Sequence, residues 1–62
     1  MLKVKLYDIE NLPHGTLVTI VINPKTSVKA VTFGKNFGLQ SGKAMTAHEI
    51  NFENYEVYLG WE

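Results

Sequence analysis

Apolar and polar residues alternate from the first positions of the chain, with Leu2, Val4 and Leu6 set against Lys3, Lys5 and Tyr7. A period of two places each set on one face of a strand, so this stretch predicts a first strand with one side buried. Residues 10–16, ENLPHGT, collect Asn, Pro and Gly and read as a turn or loop. Residues 17–22, LVTIVI, are then apolar at both parities and rich in β-branched types, with Thr19 the only interruption. That pattern predicts a central strand, or one whose outer face is covered by another subunit.

Asn23-Pro24-Lys25-Thr26 has the residue order of a type I turn, because the proline ring presets φ at the second position. The chain is expected to return over residues 28–33, with Val31 and Phe33 beside Lys29 on one face and Val28, Ala30 and Thr32 on the other. Residues 33–43, FGKNFGLQSGK, read as a long excursion in which Gly34, Gly38 and Gly42 let the chain turn while Phe33 and Phe37 pin it to the core.

Thr46 and Glu49 have the S/T-x-x-E spacing of a capping box, which would start a helix near Ala47. Asn51, Phe52, Asn54, Tyr55 and Val57 are weak helix formers, so at most one short helical turn is expected in residues 44–50, with a strand as the alternative. Ile50 and Phe52 share one parity and Tyr55, Val57, Leu59 and Trp61 the other, which requires a turn or bulge at Glu53-Asn54. The last strand, residues 55–61, carries those four apolar side chains on one face and Glu56 and Tyr58 on the other.

Together these elements predict a single domain, residues 1–62, that is all-β or β-rich α+β with at most one short helical turn. Its expected architecture is a small antiparallel meander or an SH3-like or OB-like barrel of four to five strands.

Composition sharpens this picture in two ways. With 45% hydrophobic and 19% charged residues the chain can build a core, yet at 62 residues it buries only ~60% of the surface its unfolded form exposes. It has no cysteine, so neither a disulfide framework nor a thiolate zinc site supports it. Close packing or self-association must supply the rest, and a homodimer or higher oligomer is expected. The start has no secretory pattern, and the longest apolar run is far below the ~20 residues of a membrane helix, so a cytoplasmic protein without membrane contact is expected.

Formal charge sums to zero but is unevenly placed. Residues 1–43 hold all six lysines against Asp8 and Glu10, a balance of +4, whereas residues 44–62 hold Glu49, Glu53, Glu56 and Glu62 without a base, a balance of −4. Folding is expected to set the two halves side by side and cancel most of that field.

Candidate chemistry is sparse. A phosphate loop aligned on Gly42-Lys43 would need a glycine where Phe37 stands and a hydroxyl where Ala44 stands, so nucleotide hydrolysis is not expected. Lys35, Phe37 and Lys43, with Tyr7 in support, supply the stacking ring and cations of a single-stranded nucleic-acid binder, the alternative reading. His14 and His48 lack the spacing that would aim two imidazoles at one metal. A pairing of Ser27 or Ser41 with His48 has no supporting motif, and so short a chain rarely encloses a catalytic pocket.

The expectation is therefore a non-enzymatic chain with no cofactor and no metal. The main functional expectation rests on the aromatic tail, because Trp and Tyr bury much area at small entropic cost and dominate interfaces. Tyr55, Val57, Tyr58, Leu59 and Trp61 are the candidate partner-binding or dimer residues of a protein-binding accessory module, of the inhibitor or regulator kind found on mobile elements. The partners expected are a second copy and an unidentified protein.

Overall fold

The computed structural model describes residues 3–61, the side chains of Leu6 and Tyr7 excepted. The expectations for Leu2, for Glu62 and for the Tyr7 ring lie outside the described residues. Among the described residues, six strands form one antiparallel sheet: β1 Lys3–Val4, β2 Leu17–Asn23, β3 Thr26–Phe33, β4 Asn36–Leu39, β5 Ala44–Thr46 and β6 Glu56–Leu59. The order across the sheet is β1-β6-β2-β3-β4-β5, so β2 to β5 form a meander while β6 returns between β1 and β2. The sheet is open. The fold is thus the expected small β-rich type, as an open sheet of six strands rather than a barrel of four or five.

Two short helical segments cover one face of this sheet. A 3-10 helix, Leu6–Asn11, follows β1, and the α-helix α1, Ala47–Phe52, joins β5 to β6. The first corrects the sequence expectation, because the strand expected from the opening alternation stops at Val4, and Ile9, within the 3-10 helix, is fully buried. Alternation of Leu, Val and Lys is compatible with either backbone. What selects the 3-10 turn is the apolar seat that Ile9 and Leu12 find against the sheet.

α1 starts where the capping box places it. The Glu49 N–H donates to Thr46 Oγ1 at 3.1 Å, which satisfies one of the donors that a helix N-terminus leaves without a partner. Residues 44–50 are therefore a strand up to Thr46 and a helix after it. The expected turn at Glu53-Asn54 is present, with Asn54 in the left-handed region at φ 58°.

The core lies between the helices and the inner face of the sheet. Val18, Ile20, Ala30, Phe37 and Val57 from the strands meet Ile9 and Ile50 from above, all at most 1% exposed. Register explains the set: Ile20 pairs with Val28 and Val57, Val18 with Ala30 and Leu59, and Thr32 with Phe37, so these side chains share one face. At the far end of the hairpin the Lys25 N–H donates to Asn23 Oδ1 at 2.9 Å, closing the expected Asn-Pro turn.

The Gly-rich stretch is a pair of tight hairpins with β4 between them, not one long loop. Gly34, at φ 65°, makes the first of these turns in a conformation that a side chain would strain. Gly38 lies within β4 and serves packing instead, as described below.

Candidate binding surface

Residues of the opposite parity form the outer face of the sheet, which neither helix covers. Lys3, Tyr58, Thr19 and Lys29 lie in one row across β1, β6, β2 and β3, and Leu17, Val31, Gly38 and Ala44 in the next across β2 to β5. Phe33 follows Val31 on the same side of β3, and Val21 lies beside Glu56. Leu17 and Phe33 are 45% and 51% exposed, and neither they nor Val31 pack on the core.

Two local features hold aromatic rings on this face. Gly38 offers a bare Cα, and a methyl built there would lie 3.6 Å from the Phe33 ring and 3.7 Å from Val31, so these two side chains close over the glycine. The His14 ring meets Phe33 edge-on, with centroids 6.1 Å apart and planes at 66°. At the other end, Gly60 at φ 88° breaks the alternation of β6 and turns Trp61 onto the outer face, away from the side that Val57 and Leu59 occupy.

Hydrogen bonds fix that turn. The Gly60 N–H donates to Leu17 O at 2.8 Å, the Thr19 hydroxyl donates to Gly60 O at 2.7 Å, and the Trp61 indole Nε1–H donates to Ala30 O at 2.9 Å. Lys29 Nζ stands 5.9 Å from the centre of the Trp61 ring, within reach of a cation–π interaction. A stripe therefore runs from Trp61 across Leu17 and Val31 to Phe33, apolar and aromatic throughout, with its polar atoms bonded inside the chain. Trp61 is 40% exposed.

Lys3 Nζ lies 2.6 Å from Glu56 Oε2 at the margin of this face. The pair joins the lysine-rich first part of the chain to the acidic last part. Hydrogen bonding to Lys3 holds the Glu56 carboxyl below the usual carboxylate range, and the same contact raises Lys3 above 10.5.

The residues singled out from sequence are divided by this geometry. Of the five tail residues, Tyr58 and Trp61 lie on the outer face, Val57 is core, and Tyr55 and Leu59 pack against the core. β6 lies between β2, which pairs along its whole length, and β1, which pairs with Val57 and Tyr58, so it is an inner strand of the sheet and not an edge strand. The edges belong to β1 and β5, of two and three residues, short enough to discourage strand addition.

Phe37 is fully buried and has no ring face for a nucleic-acid base, as an anchor of the core should be; Phe33, expected to share that role, is the exposed one. Lys35 and Lys43 stand at opposite ends of β4, and Lys35 lies 3.5 Å from Glu10. Ser27 and Ser41 line one shallow cavity with Lys29 and Gln40, without His48.

A larger groove of ≈ 450 Å³ opens at the hairpin end of the inner face, lined by Ile22, Val28, Leu39, Met45 and Tyr55 with Lys43 and Glu49. The six residues of α1 are too few to cover it. No helix of the described residues is long and apolar enough to cross a membrane.

Comparison of the chain with protein-family models, with characterised proteins and with solved structures returns no match. Leu17 and Phe33 were missed as surface residues, although the parity that Phe33 shares with Lys29 was the signal that could have placed it outside.

Proposed function

We propose that this chain is a non-catalytic protein-binding module, acting as a homo-oligomer, whose working surface is the outer face of the sheet. The observation that carries this reading is the contiguous stripe of Leu17, Phe33 and Trp61, each 40–51% exposed, on a rigid six-stranded scaffold. Large exposed apolar side chains are ordinary when scattered, but a contiguous patch rimmed by polar groups marks an interaction surface. Here the rim is Lys3, Glu56 and Lys29.

The polar atoms within the stripe support the same reading. Thr19 and the Trp61 indole bond to backbone carbonyls of the chain itself, so covering them strands no donor. A partner gains the apolar burial, at about 25 cal/mol per Å², without that penalty.

The test compares the double variant Phe33→Ala/Trp61→Ala with Phe52→Ala, whose ring is 75% exposed but sits on α1 away from this face. Loss of light-scattering mass or of pull-down in the double variant alone is the expected result. Equal behaviour of both variants and the native chain would remove the proposal. Binding of a mixed oligonucleotide pool that falls steeply with salt would favour the nucleic-acid reading instead.

A further inference from the structure

The stripe suggests its own occupant. Resting on the reading of the outer face as a binding surface, we infer that it is covered by a second copy of this chain, sheet against sheet, about a two-fold axis near Leu17 and Val31.

Arrangement of the residues is the first argument. Leu17 and Val31 are directly paired neighbours at the middle of the stripe, with Trp61 toward one end and Phe33 toward the other. A two-fold axis through the middle brings Trp61 of each copy toward Phe33 of the other, so the same patch serves both sides, as a closed dimer requires.

Charge is the second. The face carries Lys3 and Glu56, neutralised by each other at 2.6 Å, and Lys29, held over the Trp61 ring. The one charge in excess, that of Lys29, is too small to select an acidic partner, and the formal charge of the whole chain is zero, so two copies meet without net repulsion.

Area is the third. The two longest extents of the molecule are 28 and 23 Å, so one whole face spans roughly 600 Å², the lower end of the ~600–1,000 Å² per partner that specific interfaces bury. Among the described residues the core holds seven fully buried apolar side chains. In a chain of this length a second buried layer supplies stabilisation that the first is too small to provide.

The absence of cysteine in the native sequence makes a direct test simple. Leu17→Cys and, as control, Phe52→Cys are treated with a thiol cross-linker spanning about 10 Å, the spacing of packed sheets. Covalent dimer is expected from the first and not the second. Val31→Lys, checked for native far-UV circular dichroism, should weaken self-association at least about tenfold, because it places a charge at the centre of the interface.

Native chain that stays monomeric by light scattering at about 100 µM, far above the Kd of a specific dimer, would overturn the second-copy inference. In that case the pull-down comparison still decides whether the face binds another protein. Dimers that cross-link through residue 52 and tolerate Val31→Lys would overturn it as well, and the same pull-down comparison would decide the wider reading of the face.

Discussion

The indole Nε1–H of Trp61 donates to the carbonyl oxygen of Ala30 at 2.9 Å, bridging β3 and the segment after β6 across 31 positions of sequence. Trp61 is thereby fixed on the outer face while its ring stays 40% exposed. Replacement by phenylalanine keeps an apolar ring but removes the donor and weakens the Lys29 contact. We expect Trp61→Phe to cost about 1 to 2 kcal/mol, the sum of a net hydrogen bond and an exposed cation–π contact. Urea denaturation followed by circular dichroism measures it, and a change below about 0.3 kcal/mol would mean that the hydrogen bond contributes nothing net.

Phe33 and Phe37 separate stability from binding. Phe37 is fully buried, so Phe37→Ala should destabilise by about 3 to 5 kcal/mol, enough to unfold much of so small a domain at room temperature. Phe33→Ala removes a half-exposed ring and, at concentrations where native chain and variant are both monomeric, should alter stability by no more than about 0.5 kcal/mol, while reducing association at higher concentration. The reverse ranking in a denaturation series would show that the inner and outer faces are misassigned.

Thr46 tests the capping box directly. Thr46→Ala removes the acceptor for the Glu49 N–H and should cost about 1 kcal/mol, whereas Thr46→Ser, which keeps the hydroxyl, should recover most of it. Equal destabilisation by both would assign the effect to the lost methyl group.

The Lys3–Glu56 pair gives a pH dependence of known sign. Glu56 has a lowered folded pKa, so its contribution is present above the ordinary glutamate range and lost as pH falls through the lowered value. Lys3 has a raised folded pKa, so its contribution is present below 10.5 and lost as pH rises through the raised value. Both side chains are well exposed, 62% and 43%, and the effect is small and screened by salt. The Tm difference between native chain and Glu56→Gln should therefore shrink both in acid and in high salt. A difference that grows toward acid would contradict the pairing.

Local signals were legible wherever short-range chemistry decides the backbone. The Asn-Pro turn, the Thr46 cap and the turn at Glu53-Asn54 each depend on residues within three or four positions, and all three stand where the sequence places them. The failures have a common cause. The burial of Ile9 had no sign in the pattern, and Phe33 read as a core anchor, because burial is set by what lies opposite, which local pattern does not contain.

The candidate surface shows the same division. The sequence by itself determined the β-rich fold, the parity of each long strand and the presence of a marginal core in a chain without cysteine, because a period of two and the turn residues act locally. Only the tertiary structure decided that β6 lies inside the sheet between β1 and β2, that Phe37 is core while Phe33 is surface, and that Gly60 turns Trp61 away from the face of Val57 and Leu59. These depend on strand order and on one positive φ, and both are settled by contacts between residues far apart in the chain.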